Sequence, residues 1–432
     1  MYKKCILLFF ILLILTSCGH SEENITFSKI ENVEVTVIEF KDNSVFINDK
    51  EVSEDNTLPI YTANDIVYYE DNQDFTYGKG YGDDLHSKEE ADANIVVHIN
   101  QSGTYELKGR LEKGQIAIDL GKEAKNNPEA VVNLILNNVN ITCDVAPAII
   151  FYNVYECGSD DRENASMNID TFNAGANIII ADDSINSING SYVARIYRPE
   201  SVVLNEEGNK VIQEKKLHKY DAAFYSKMSM NIWAEKKGTG VLNIIGENEG
   251  LDTEMHLTIN GGTINIESVN DGINVNEDDI SVLTVNAGVL NINVSGNNHE
   301  GDGIDSNGWL VINGGRIISQ SCDIGTDSGI DGNNGTYING GTVVAAGRAI
   351  KNIYTENQNF IIFNFHEGFN KGNYKISKPT GKVIIEFHID KSLNTLLVTS
   401  DKLDNGDYVL YCDGIPIIES FTIKKGENYI NV

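Results

Sequence analysis

The sequence predicts an all-β protein, a right-handed single-stranded parallel β-helix closed by a small C-terminal β module. Two recurrences and one compositional fact predict it. A Gly-Ile/Leu-Asp/Asn triplet returns as Gly250-Leu251-Asp252, Gly272-Ile273-Asn274, Gly303-Ile304-Asp305 and Gly329-Ile330-Asp331. Behind each triplet stands an Asn turn: Asn260-Gly261-Gly262, Asn286-Ala287-Gly288, Asn313-Gly314-Gly315 and Asn339-Gly340-Gly341. These asparagines lie 26, 27 and 26 residues apart, so each repeat reads as one coil of a stack. The chain carries 39 Gly against 6 Pro in 432 residues, which calls for many tight turns. A leucine-rich repeat would need Leu at fixed spacing and a helical segment, and neither is present.

The elements follow in order. Lys3 and Lys4, the apolar run Cys5 to Leu15, and Leu15-Thr16-Ser17-Cys18 predict a lipoprotein signal peptide over residues 1–17. The run is too short to span a membrane comfortably. Leu-Thr-Ser-Cys resembles a bacterial lipobox, in which Cys18 is diacylated through its sulfur and becomes the mature N-terminus. Two acyl chains, at ~0.8 kcal/mol per buried CH2, hold a protein stably on a bilayer. The sequence therefore predicts an exported, membrane-anchored lipoprotein at the cell surface. Residues 18–45 read as a polar tether and 46–93 as an N-terminal β segment or cap.

From 94 to 356 short β runs alternate inward and outward positions, as in Ile95-Val96-Val97-His98-Ile99 and Val131-Val132-Asn133-Leu134-Ile135-Leu136. Residues 182–220 lack periodicity and read as an excursion. Residues 357–432 carry longer strands, such as Lys382-Val383-Ile384-Ile385-Glu386-Phe387, and read as a module covering the open strand edge. The cysteines beyond the leader, Cys143, Cys157, Cys322 and Cys412, show no metal-binding spacing and are expected as buried free thiols.

The formal charge of −30 excludes metal-free binding of nucleic acid, because polyanions attract Lys and Arg. The acids also recur in register around the triplets: Asp252, Asp271, Asn274, Asp302, Asp305, Asp327 and Asp331. Stacked strands place equivalent residues ~4.8 Å apart. At that distance, and at an effective dielectric near 20, two carboxylates repel by about 3.5 kcal/mol, so such a stripe needs neutralising. Calcium suits it, since it takes six to eight oxygens at ~2.3–2.6 Å and bridges neighbouring coils. The asparagines after the triplets are expected as an internal amide ladder along the stack. Tyr225, Trp233, Trp309 and Tyr337 are the candidate sugar-stacking rings.

Residues 94 to 346 resemble the bacterial carbohydrate-binding β-helix domain family, described as cadherin-like or polygalacturonate-binding and related in shape to pectate lyases. The matching stretches are Gly103-Thr104-Tyr105-Glu106-Leu107, Gly114-Gln115-Ile116-Ala117-Ile118-Asp119, Leu134 to Ile141, Ala222 to Lys227 and Gly238 to Leu242, followed by the triplet and Asn-Gly repeats. The resemblance implies several calcium ions at the acidic turns and binding of acidic plant polysaccharide without general catalysis. The chain departs from the pattern at Asn274 and Ser328, where acids would stand. The expected function is calcium-dependent, non-catalytic binding of an acidic polysaccharide. The alternatives are a calcium-dependent pectate-type lyase, with Lys227, Arg348 or Lys351 as base, and a surface adhesin or spacer that binds a protein.

Overall fold

The computed structural model describes residues 33–42, 44–296 and 300–432. The segment expected as a signal peptide, and Cys18, lie outside the described residues. Among the described residues no helix is long and apolar enough to cross a membrane. The protein is all-β, with a single five-residue α-helix at Lys88–Asp92 among the described residues.

Three ladders of parallel pairs organise the body. The first runs through Val35–Asp42, Gly103–Leu111, Val132–Cys143, Ala176–Ile180 and Met230–Ala234. It continues through Leu257–Ile259, Val282–Val285, Trp309–Ile312, Thr336–Ile338 and Ile353–Tyr354. The second leaves the far half of Val132–Cys143 and passes through Ile185–Gly190, Val241–Gly246, Thr263–Ser268, Val289–Val294, Arg316–Gln320 and Thr342–Gly347. The third passes through Ile95–Ile99, Gly114–Asp119, Ile149–Asn153, Ala222–Ser226, Glu249–Thr253, Ile273–Val275 and Ile304–Ser306.

The inward side chains of the three ladders meet in one continuous core. Phe224, Leu251, Ile273 and Ile304 stack there in register, all fully buried. Each such side chain contributes about 1.5–3 kcal/mol relative to exposure. The turn glycines of the Asn-Gly repeats explain themselves: Gly262, Gly288, Gly315 and Gly341 have φ of 88, 100, 84 and 82°, a region that side chains with a Cβ disfavour.

The sheets are mixed rather than purely parallel. Ile60–Ala63 pairs antiparallel with Ile95–Ile99, and Ser44–Ile47 pairs antiparallel with Val35–Asp42. At the other end, Leu393–Ser400 runs antiparallel to both Thr342–Gly347 and Asn359–Phe369. Beyond it an antiparallel sheet of Gly372–Ser377, Val383–Ile389, Gly406–Cys412 and Ile415–Ile423 packs its own apolar core against that edge. Latches fix this module in place. Gln320 and Asp390 exchange two hydrogen bonds of 3.0 and 2.8 Å, and Arg316 Nη2 donates to the Glu386 carbonyl at 2.8 Å.

Two segment expectations need correction. The stretch 18–45 is not all tether, because Val35–Asp42 is a paired strand that buries Ile38 and Phe40. Its period-two apolar pattern was hidden among polar neighbours. The excursion is also shorter than 182–220, because Ile185–Gly190 belongs to the second ladder and buries Ile188. What departs from the body is a hairpin of Val193–Tyr197 with Lys216–Tyr220, extended by Val203–Leu204 with Val211–Gln213.

Candidate functional site

The third ladder carries the site on its outer face. Strand alternation turns the apolar residue of each triplet inward and the next residue outward. Register then lines up Tyr225, Asp252, Asn274 and Asp305. The amide of Ile304 donates to the Gly329 carbonyl and that of Ser306 to the Asp331 carbonyl, which continues the row to Asp331. A second row stands three residues earlier. The amides of Gly250, Gly272 and Gly303 donate to the carbonyls of Asp271, Asp302 and Ser328, so Glu249, Asp271, Asp302 and Ser328 align.

The glycine between the rows is a matter of space, not of turn geometry. A Cβ on Gly250, Gly272 or Gly303 would lie 2.6, 2.5 or 2.4 Å from the carbonyl oxygen of the next glycine. The backbones therefore stack too closely for any side chain, which brings the flanking acids together.

Much of this carboxylate is withdrawn from water. Asp252 is fully buried, and burial, then Asp221 and Glu254, holds its carboxyl well above the usual carboxylate range. Glu249 is raised in the same way by burial and by Asp252. Burial and the Asp305 charge push Asp271 up to about 7. Asp302 is pushed up to about 8 and Asp305 to about 6, each mainly by burial, and Asp331 is raised for the same reason. Partial compensation exists. Asp252 accepts from Asn276 Nδ2 at 3.1 and 3.0 Å, and Asp271 Oδ1 accepts from the Asp302 amide at 2.7 Å. Asp302 Oδ1 accepts from the Ser328 amide. Asn274 Nδ2 donates to Glu249 Oε1 at 3.3 Å.

Two oxygens in the rows stay unsatisfied. Glu249 Oε2 and Asn274 Oδ1 are buried without a hydrogen-bond partner. Among the described residues no group of three or more His, Cys, Asp and Glu side chains is gathered to hold a metal ion by itself. An ion here would have to draw on amide or backbone oxygens as well. The donor set is entirely oxygen, which suits a hard cation and not zinc.

Asp327 stands apart from the rows. Its Oδ2 accepts from the Gly301 amide at 2.8 Å and from the Cys322 thiol at 3.0 Å, so it ties a loop together.

The aromatic candidates divide. Tyr225 is 2% exposed and donates its hydroxyl to Glu254 Oε1 at 2.6 Å; Trp233 is 4% exposed and packs edge-on to Phe172. Neither ring offers a face to a sugar, because both sit under neighbouring segments. Trp309 and Tyr337 are half-buried on the first ladder. Tyr337 stacks on Tyr354 at 5.0 Å between centroids, and Tyr354 is 49% exposed. Gly335, whose Cβ would lie 2.9 Å from Tyr354 and 3.0 Å from Tyr337, keeps that pair uncovered beside Trp309.

The family of carbohydrate-binding domain-containing proteins matches residues 93–158 and 157–361, more than half of the chain. The chain belongs to this family. Among solved structures, a polysaccharide lyase-like protein from C. thermocellum, determined as a gadolinium derivative, is similar at 16% identity. The match covers 75% of this chain and 90% of that one, with a TM-score of 0.39. No curated protein matches. The family description makes a carbohydrate the expected partner.

Sequence reasoning missed several residues that this family member places at the site. Glu249 precedes Gly250 as Asp271 precedes Gly272, so the repeat itself contained that signal. Asp221, Glu254, Lys216 and Lys219 had none. Lys219 pairs with Asp221, and Lys216 pairs with Glu254 at 2.9 Å. Both lysines arrive on the hairpin strand Lys216–Tyr220.

Proposed function

We propose that this protein binds acidic polysaccharide in a calcium-dependent, non-catalytic manner, as a lipoprotein anchored at the cell surface through Cys18. Its repeats wind as a right-handed parallel β-helix; the three parallel ladders with one shared core support that reading. The observation that carries the function is the pair of buried oxygen rows, in which Glu249 Oε2 and Asn274 Oδ1 lack partners. Oxygens of Glu249, Asp252 and Asn274, completed by backbone carbonyls, would hold one ion, and a further ion would draw on neighbouring pairs among Asp271, Asp302, Asp305 and Asp331 with backbone oxygens in the same way. Bound calcium would neutralise the rows and leave coordination positions for uronate oxygens, which a protein of charge −30 otherwise repels.

Trp309, Tyr337 and Tyr354 supply the apolar ring faces that a pyranose covers. The test is retention of the full chain on polygalacturonate in calcium and in excess chelator, alongside calorimetric titration of calcium alone. Retention in calcium that chelator abolishes supports the reading. Equal retention in both, or no heat of calcium binding, rejects it.

A lyase is the second reading, and one observation favours it. Burial lowers the pKa of the Lys227 ammonium, as a proton-abstracting base requires. Ultraviolet absorbance from unsaturated uronide ends, growing steadily and lost in Lys227→Met, would establish it. Arg348 has less in its favour, since its guanidinium donates to the Asp323 carbonyl at 2.9 Å.

A further inference from the structure

Lys227 follows strand Ala222–Ser226 and emerges on the face that carries Tyr225. Its amide donates to the Phe151 carbonyl, and the Glu254 amide donates to the Ser226 carbonyl. Lys227 therefore lies between Tyr152 on one side and Glu254 on the other. Its ammonium sits over the rings of Tyr152 and Tyr220, at 5.4 and 5.2 Å from their centroids. Tyr220 is fixed in turn by Tyr225 at 5.2 Å, by Tyr152 at 5.7 Å, and by its hydroxyl meeting His218 Nδ1 at 2.7 Å. These contacts make a rigid aromatic cradle.

What the cradle lacks is a carboxylate in direct contact with the ammonium. The adjacent carboxylate, Glu254, is already engaged: its Oε1 accepts from the Tyr225 hydroxyl at 2.6 Å and from Lys216 Nζ at 2.9 Å. Among the described residues Lys227 forms no ion pair, although the protein carries 63 Asp and Glu against 33 Lys and Arg. Burial outweighs Glu254 and Asp119, which act on the Lys227 ammonium only at a distance, without a direct ion pair. The next strand places Asp252 in register with Tyr225, two residues from Lys227. The unpaired ammonium and the acid rows thus share one outer face.

We propose that Lys227, in its cradle of Tyr152 and Tyr220, is the subsite that receives a hexuronate carboxylate and selects acidic over neutral or esterified chains. This rests on the glycan-binding reading and names the group that reads the sugar's charge. The ring faces hold the stem of Lys227 while its N–H groups point to the incoming carboxylate.

The test compares the full-length protein with Lys227→Met and Lys227→Arg in saturating calcium. The probes are tetragalacturonate and its fully methyl-esterified counterpart. Lys227→Met is expected to weaken the acid at least tenfold and leave the ester within twofold, and Lys227→Arg is expected to recover most of the loss. A second measurement needs no variant: limited acetylation of the parent, read by peptide mass spectrometry. There tetragalacturonate protects Lys227 and the ester does not. Equal affinity of Lys227→Met and parent for the acid, or acetylation unaffected by it, overturns the subsite while leaving glycan binding standing. A parent that binds neither probe overturns both.

Discussion

Raising the pH of the calcium-free protein from 6.5 to 8.5 should destabilise it, and calcium should remove that loss. The sign follows from the acid rows. Asp302 and Asp271 have folded pKa values of about 8 and 7 against 3.8 for the free group. A raised carboxyl binds its proton more tightly in the folded state, so its contribution is complete at low pH and is lost as pH rises through the folded value. Over this window Asp302 stays protonated for about 1.5 pH units and Asp271 for about 0.5, at about 1.4 kcal/mol per unit, or about 3 kcal/mol together. His256 sets the lower limit of the window. Burial holds it at about 4 against 6.5, so its unfolded form gains a proton below pH 6.5 and masks the carboxylates there. With an unfolding entropy of roughly 2 cal/mol/K per residue, 3 kcal/mol lowers the Tm of this chain by roughly 3 °C. Calcium at 100 times its Kd returns about 2.7 kcal/mol for each ion held. The assay is thermal unfolding of the full chain by circular dichroism across the window, in chelator and in calcium. A flat or rising Tm in chelator, or the same decline in calcium, would refute the reasoning.

Three further outcomes follow from the same geometry. Glu249→Gln replaces a carboxyl that burial drives towards its neutral form, so folding near neutral pH no longer has to take up its proton; it should raise the stability of the calcium-free protein by about 1–3 kcal/mol while weakening calcium in titration calorimetry. Tyr337→Ala and Tyr354→Ala each remove one ring of the partly exposed stacked pair, and each should cost about 1 kcal/mol of glycan affinity without shifting calcium affinity. Gly272→Ala forces a Cβ to 2.5 Å from the Gly303 carbonyl, so it should destabilise by a few kcal/mol in chemical unfolding, whereas the same change at solvent-open Gly426 meets only its own backbone strain.

The all-β fold was legible because the repeat carried both of its own causes. Ile273 and Ile304 mark the core face, and Gly272 and Gly303 mark where backbones touch. The asparagine ladder was legible for the same reason: Asn286, Asn313 and Asn339 each donate at 2.8 Å to the asparagine one repeat earlier. It is internal only at its start, since Asn260 is buried whereas Asn313 and Asn339 are exposed. The third ladder was harder to read. Its triplet glycines stand at 250, 272, 303 and 329, less evenly spaced than the asparagines. Burial of Tyr225 and Trp233 was not legible at all. Each is covered by segments far away in the chain, Tyr225 by the hairpin that brings Tyr220 and Trp233 by the loop that brings Phe172. Periodicity within a repeat says nothing about what a non-repeating insertion lays over it.

The antiparallel strands at the two ends set a limit on assembly. A stack of parallel strands exposes at its last member the template that a second molecule's first strand could continue, which would build a filament. Here Leu393–Ser400 occupies the edge of Thr342–Gly347 with reversed direction, and Ile60–Ala63 does the same to Ile95–Ile99. Cutting away residues 357–432 would leave Thr342–Gly347 bare and invite end-to-end growth into fibres.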